Sequence, residues 1–77
     1  MIFGRKRPPE PPKRRMRFRV TLVNGDVREF ETELTSFKEM VNGAFQGKGV
    51  FDGDDNTPGA IGINLAHVIS IELLEVS

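Results

Sequence analysis

The dipeptide Asn24-Gly25 restricts the fold of this chain more than any other feature of its sequence. Asn-Gly between two strand-like runs is the strongest short-range signal for a β-hairpin. Residues 16–23 alternate between apolar and polar side chains, and residues 27–32 can return as the partner strand. A three-residue loop sets Phe18 opposite Phe30 and sets arginines opposite glutamates, whereas a two-residue loop sets Phe18 opposite a glutamate. The sequence therefore predicts the three-residue loop, with the glycine left-handed in a β-bulge.

A short helix is predicted after the hairpin. Ser36 and Glu39 have the spacing of a capping box, in which Ser36 is the N-cap. Gly47 suits the C′ position just beyond the helix. Apolar residues recur at helical spacing on one face, at Phe37, Met40, Val41, Ala44 and Phe45. This stripe predicts a helix that packs on one face of the sheet.

Three more strands are predicted after the helix, over 48–51, 60–64 and 68–76. Residues 52–59 have the composition of a loop. The last strand is apolar on both faces, which predicts a central position in the sheet or a covered outer face. The expected fold class is α+β: a small bent antiparallel sheet or open barrel in the order ββαβββ, with one short helix packed on the sheet. Because so small a body buries a marginal core, we expect a homo-oligomer.

The formal net charge of zero conceals an uneven distribution of charge along the 77 residues. Residues 1–19 hold eight Lys/Arg against one acid, a net charge of +7, and residues 20–77 hold three against ten, a net charge of −7. Four prolines between positions 8 and 12 remove backbone donors and favour polyproline II. We therefore expect a basic, proline-rich disordered tail over 1–15 and a folded domain over 16–77. The asymmetry indicates that the tail has its own partner.

The basic triplets on either side of the proline run are the predicted ligand contacts. Clustered cations can each neutralise a phosphate, which gives salt-dependent and sequence-independent affinity for nucleic acid. The candidate nucleic-acid-binding residues are Arg5, Lys6, Arg7, Lys13, Arg14 and Arg15. In this interpretation the chain is a small non-enzymatic binding protein, and its β-rich body is an oligomerisation scaffold. An anionic membrane surface, an acidic protein and the chain's own acidic body are alternative partners for the same cations.

A second interpretation places the function on the acidic body. The chain is then a protein-interaction module or inhibitor that docks on a basic partner surface by electrostatic steering. The candidate partner-binding residues are Glu29, Glu31, Glu33, Asp52, Asp54 and Asp55. The loop that contains the three aspartates begins like a calcium-binding loop, but Thr57 and Ile63 stand where such a loop needs glycine and glutamate. An acidic surface loop is therefore the favoured interpretation.

The sequence contains no pattern that indicates an enzyme. It has no cysteine, so neither a disulfide nor a cysteine-ligated metal can form. His67 is the single histidine and has no identifiable nucleophile or second metal ligand, which favours a role in a turn or in packing. We expect no catalytic residues, no metal and no cofactor. No apolar run reaches the length of a secretory signal or a membrane span, so we expect a cytoplasmic location.

Three segments resemble the Sm-like RNA-binding proteins. Val20-Thr21-Leu22-Val23-Asn24-Gly25 is similar to the opening strand of that family, and Ser36-Phe37-Lys38-Glu39-Met40-Val41-Asn42 resembles its Asp-x-Met-Asn segment. Residues 63–71 resemble its final pair of short strands. The resemblance implies an RNA-binding ring whose base-binding site is lined by Asn42, Asn64 and His67. The order of hairpin, helix and closing strand also resembles small proteins of bacteria and their phages, a likeness that implies no activity.

Overall fold

The computed structural model describes residues 13–77. These residues form β1 (Arg14–Thr21), β2 (Val27–Leu34), α1 (Phe37–Ala44), β3 (Val50–Asp52), β4 (Ile61–Asn64) and β5 (Ile69–Val76). The order ββαβββ is the predicted one, and each strand lies within two residues of its predicted bounds. β1 begins at Arg14, so the sheet starts inside the segment predicted as a tail. Residues 1–12 of that segment lie outside the described part of the chain.

The strands form one open antiparallel sheet in the order β2-β1-β5-β4-β3. β2 and β3 are its two edges, and α1 connects them, so the chain crosses one face of the sheet from edge to edge. β5 lies at the centre between β1 and β4, as its apolar pattern predicts. The structure thus confirms the α+β class and the antiparallel sheet with one helix. Within residues 13–77, no helix is long and apolar enough to cross a membrane.

The hairpin of β1 and β2 has the predicted register. Phe18 pairs with Phe30, and the centroids of their rings lie 5.7 Å apart. The backbone N–H of Leu22 donates to the carbonyl of Asp26 at 2.8 Å and closes the loop. Gly25 has a φ of 88°, the left-handed conformation that the bulge requires. The cross-strand pairs, aromatic with aromatic and arginine with glutamate, explain why this loop length is preferred.

The core lies between α1 and the inner face of the sheet, which is the face that the helix covers. Phe37 and Val41 of the helix and Leu73 of β5 are fully buried. Gly62 of β4 faces the helix, and a Cβ at this position would overlap Cγ1 of Val41. Helix and sheet therefore approach so closely at Gly62 that a larger residue would displace the helix. The other buried apolar residues are Met16, Phe18, Phe45, Ala60 and Ile71.

The C-terminal end of α1 differs from the prediction by one residue. Phe45 is the C-cap, so Gln46, with a φ of 54°, occupies the C′ position that the sequence assigned to Gly47. The N–H of Gly47 donates to the carbonyl of Asn42 at 2.8 Å, and the N–H of Gln46 donates to that of Gly43 at 3.3 Å. These are the two bonds of a Schellman motif. Gly47 has a φ of 77°, so two consecutive left-handed residues turn the chain away from the helix.

Candidate functional site

The outer face of the sheet, which the helix leaves uncovered, carries opposite charges side by side. Arg15, Arg17 and Arg19 of β1 point to this face because Met16 and Phe18, which alternate with them, are buried in the core. The neighbouring positions on β2 and β5 are glutamates, namely Glu29, Glu31, Glu33, Glu72 and Glu75. We call these three arginines and five glutamates the charge ladder.

Each arginine of the charge ladder lies within 4 Å of two glutamates. The shortest contacts join Arg15 Nη2 to Glu31 Oε1 at 2.7 Å and Arg17 Nη2 to Glu75 Oε1 at 2.8 Å. The strand pairing is the predicted one, but the long side chains reach diagonally, so Arg17 Nη1 contacts Glu29 Oε1 at 3.0 Å. The hydrogen bond and charge of Glu31 raise the pKa of Arg15 above its usual value, and Glu75 does the same for Arg17. The ladder arginines are thus committed to partners within the chain.

The predicted nucleic-acid contacts fall into three groups. The first triplet, Arg5-Lys6-Arg7, lies outside the described residues. Arg15 belongs to the charge ladder. Lys13 and Arg14, where the chain enters β1, are exposed and form no ion pair with any residue of 13–77. In the described part of the basic segment, Lys13 and Arg14 are therefore the cations open to a ligand.

The acidic residues of the second interpretation are also divided by the fold. Three of them, Glu29, Glu31 and Glu33, lie in the charge ladder beside arginines. Asp52 and Asp54 are exposed and pair with no cation of residues 13–77. The sixth residue, Asp55, packs against the helix. Most of the predicted partner-binding acids thus already have partners within the molecule.

Asp55 and Asn56 hold the N-terminus of α1 from a distant part of the sequence. Oδ2 of Asp55 accepts a hydrogen bond from the Ser36 hydroxyl at 2.7 Å, and its Oδ1 accepts one from the backbone N–H of Lys38 at 2.8 Å. Oδ1 of Asn56 accepts from the N–H of Phe37 at 2.9 Å. The loop therefore satisfies N–H groups at the start of the helix that have no partner within it.

The same contacts set the ionisation of Asp55. Burial by itself raises the pKa of this carboxyl, but the hydrogen bonds from Ser36 and from the Lys38 N–H, together with the Lys38 charge, outweigh burial and place the pKa below its usual value. Ser36 is the predicted N-cap and accepts from the N–H of Glu39 at 3.2 Å. Both carboxylate oxygens of Asp55 are thus occupied. Among residues 13–77, no three His, Asp or Glu side chains are grouped so that they could hold a metal ion.

A cavity of about 170 Å³ opens beside the C-terminal end of α1. The helix end, the segment that follows it, β4 and the β4–β5 turn all contribute to its wall. Its lining residues are Ala44, Phe45, Gln46, Lys48, Asn64 and His67. None of the six is acidic, although residues 20–77 carry ten acids. The cavity therefore presents amide, ammonium and imidazole groups in an otherwise acidic body.

The turn between β4 and β5 brings Asn64 and His67 to this cavity. Asn64 is 6% exposed, and its Oδ1 accepts a hydrogen bond from the N–H of Ala66 at 3.0 Å, which makes an Asx turn. The N–H of His67 donates to the carbonyl of Asn64 at 3.3 Å. Val68 then has a φ of 51°, a strained conformation for a β-branched residue. His67 is thus exposed in a turn, as predicted.

Comparison with protein-family models, with curated proteins and with solved structures finds no match to this chain. The likeness to Sm-like proteins therefore rests on the sequence segments alone. The segment 36–42 contains the N-cap and most of α1. Of the residues that the resemblance points to, Asn64 and His67 line the cavity, whereas Asn42 is exposed on the helix and does not.

Lys48 and Gln46 of the cavity are not among the residues that the sequence predicts for a site. A weak signal for Lys48 exists, because it is one of only three cations after position 19 and it follows the glycine that ends the helix. The capping role of Asp55 and Asn56 also has only a weak signal. Both residue types favour helix N-termini, but nothing local connects them to a helix that begins earlier in the chain.

Proposed function

We propose that this chain is a small non-enzymatic nucleic-acid-binding protein whose basic N-terminal segment contacts phosphates. One observation carries the proposal. The cations around the start of β1 divide into those that the charge ladder neutralises and two, Lys13 and Arg14, that form no ion pair within residues 13–77. Because the ladder glutamates already have arginine partners, they are poor partners for the remaining cations of the segment. This supports an external anionic ligand over docking of the segment on its own body.

The chemistry of the segment favours phosphate groups over base edges. Lysine and arginine contacts to phosphate fix position but do not read sequence, so the proposed binding has low specificity. The proposed contacts are Arg5, Lys6, Arg7, Lys13 and Arg14. Arg15 is left out because it would have to break its 2.7 Å contact with Glu31 to reach a phosphate. Five contacts with duplex DNA predict a slope of about −4.5 in a plot of log affinity against log salt concentration.

The proposal is tested by fluorescence anisotropy of a labelled DNA duplex, titrated with the full chain at several salt concentrations. Changing Lys13 and Arg14 together to glutamine should make the slope about 1.8 units shallower, since each contact contributes about 0.9. The matched control is Arg15→Gln, which removes the adjacent cation and should leave the slope unchanged. Salt-independent binding, or no binding at low salt, would contradict the proposal.

We also propose that the body is an oligomerisation scaffold. The part of the outer face formed by β3 and β4 is uncovered and carries three apolar residues beside Asp52. Val50 is 54% exposed there, and Ile61 and Ile63 lie on the same face. Sedimentation equilibrium of the full chain should report an oligomer, and Ile63→Lys should shift it towards the monomer. A monomeric parent chain at high micromolar concentration would contradict this part of the proposal.

The second interpretation, in which the acidic body docks on a basic partner, has weaker support. Four of its six residues already have intramolecular partners, and Asp52 and Asp54 are the two that remain. Two exposed aspartates provide little electrostatic steering compared with a cluster of six. Exchange of Asp52 and Asp54 for asparagine therefore should not alter binding to DNA, except for a small gain from the lower negative charge.

A further inference from the structure

We propose that the cavity beside the end of α1 binds a small oxyanion, either a carboxylate or a phosphate group. This site is separate from the basic N-terminal segment, so it does not depend on the proposed nucleic-acid function. Two independent observations carry the inference. One is the side-chain amide of the buried residue Asn64, whose Nδ2 has no partner within residues 13–77, and the other is a wall that contains Lys48 and His67 and no acid.

The first donor belongs to Asn64. The residue is 6% exposed, and its Oδ1 accepts a hydrogen bond from the N–H of Ala66. Its Nδ2 group donates to no group of residues 13–77, and no fully enclosed side-chain nitrogen or oxygen of these residues lacks a partner, so Nδ2 is accessible. Because Oδ1 is held in the Asx turn, Nδ2 is the end of the amide that is left to bind a ligand, and Asn64 lines the cavity.

The other two donors are the ammonium group of Lys48 and the imidazole of His67. Both line the cavity, both are exposed, and neither forms an ion pair with residues 13–77. The absence of any acid from the lining means that no carboxylate of the wall competes for them. The amide of Gln46 adds another possible donor. A group of donors of this kind is complementary to an anion that accepts several hydrogen bonds, and charge-assisted bonds of this type are the strong ones.

The nearby helix end opposes an anion, because the C-terminus of a helix carries a partial negative charge. That opposition is reduced here because the Schellman motif ties up the last carbonyls. The carbonyls of Asn42 and Gly43 accept from the two residues after the C-cap, and the carbonyl of Phe45 accepts from the N–H of Lys48 at 3.0 Å. The carbonyl of Ala44 accepts no hydrogen bond of this set, so the helix end presents fewer free acceptors to the cavity but not none.

The size of the cavity limits the ligand. A volume of about 170 Å³ is smaller than the roughly 300 Å³ or more of a site for a drug-sized ligand. The site therefore suits one anionic group with a few attached atoms, and not a whole nucleotide. The hydrogen bonds from the N–H groups of Ala66 and His67 to Asn64 order the turn that carries His67.

The test is a titration of the isotope-labelled full chain with inorganic phosphate and, separately, with acetate, followed by NMR. Saturable shifts are expected for the side-chain amide of Asn64 and the backbone amides of Gln46 and Lys48. Stronger binding of phosphate identifies a phosphate-bearing ligand, and stronger binding of acetate identifies a carboxylate. Lys48→Gln and His67→Gln should each weaken binding by about tenfold or more, which is typical of losing a charged hydrogen bond.

The matched control is Lys38→Gln, which removes the same charge from the other end of the helix and should leave the affinity unchanged. Both Lys48 and His67 are exposed, so their replacement should leave the fold intact. Comparison of the NMR spectrum of each variant with that of the parent chain checks this. Shifts that do not saturate, that appear only in residues 5–14, or that weaken equally with Lys38→Gln would overturn the proposal.

Discussion

The inner face of the sheet is covered by α1 and buries Phe37, Val41 and Leu73 completely, whereas the outer face is uncovered and pairs arginines with glutamates in the charge ladder. The stability that the inner face contributes depends on how closely its side chains fit together, since close packing leaves no room for added atoms. The outer face depends on charges at the surface, where each ion pair contributes little to stability. The charge ladder therefore contributes less to the stability of the fold than to the neutralisation of charge on the body. Beside the ladder, at the start of β1, Lys13 and Arg14 form no ion pair within residues 13–77.

The largest effect is expected at Gly62 on the inner face. Gly62→Ala adds a methyl group that overlaps Cγ1 of the buried Val41, so we expect a loss of about 1–3 kcal/mol in the free energy of unfolding. The matched control is Gly43→Ala. Gly43 lies in α1 with no atom within 4 Å of the added Cβ, so this change should stabilise the protein by up to about 1 kcal/mol. Urea unfolding measures both, and equal effects of the two changes would contradict the packing described for the inner face.

The next effect is expected where the acidic loop holds α1 on the inner face. Asp55→Ala removes two hydrogen bonds at the helix N-terminus and should lower the free energy of unfolding at pH 7 by about 1–2 kcal/mol. Because the pKa of Asp55 lies below its usual value of 3.8, its contribution is present above that pH and is lost as the pH falls through the lowered pKa. The difference between the variant and the parent chain should therefore shrink in acid.

The control for the acidic loop is Asp54→Ala, which removes an exposed carboxylate with no side-chain contact in residues 13–77. We expect a change of less than about 0.5 kcal/mol. Urea unfolding over a series of pH values compares the two variants. If Asp54→Ala and Asp55→Ala destabilise the protein equally, or if the effect of Asp55→Ala grows in acid, the capping role of Asp55 is wrong.

The smallest effect is expected on the outer face. Arg17→Gln breaks contacts with Glu29 and Glu75, but the Arg17 side chain is 40% exposed, so we expect a smaller loss in the free energy of unfolding than for Asp55→Ala. The loss should decrease in 1 M salt, where charges at the surface are screened over about 3 Å. If Arg17→Gln lowered the free energy of unfolding as much as Gly62→Ala, the outer face would also determine the fold. That result would contradict the difference in stability proposed for the two faces.

The parts of the fold that depend on local sequence could be predicted. The register of the hairpin follows from Asn24-Gly25 and from matching Phe18 with Phe30, and the start of the helix follows from Ser36. The end of the helix was misplaced by one residue, because Gly47 was expected at C′ and Gln46 takes the strained position instead. The two hydrogen bonds of the Schellman motif place Gln46 at C′, and the local sequence preference for glycine at C′ does not predict this.

The features that depend on distant residues could not be predicted in the same way. Asp55 reaches the N-cap Ser36, which lies 19 residues earlier, whereas the composition of the segment around Asp55 suggests only a solvated loop. The cavity combines Lys48 with Asn64 and His67 from separate elements, and only the pairing of β4 with β5 and the end of α1 bring them together. The central position of β5 was predictable because its apolar pattern covers both faces, which is a property of the strand itself.

The most direct test of the account compares two triple variants that each remove three positive charges. One changes Arg5, Lys6 and Arg7 to glutamine, and the other changes Arg15, Arg17 and Arg19 of the charge ladder to glutamine. The measurement is the dependence of DNA affinity on salt concentration, with the fold of each variant checked by circular dichroism. The account predicts that the first variant makes the slope shallower by about 2.7 units, and that the second changes the slope by less than about 0.9 units while lowering the affinity, because the ladder glutamates lose their arginine partners. Equal changes of slope in the two variants would contradict the division between paired and available cations.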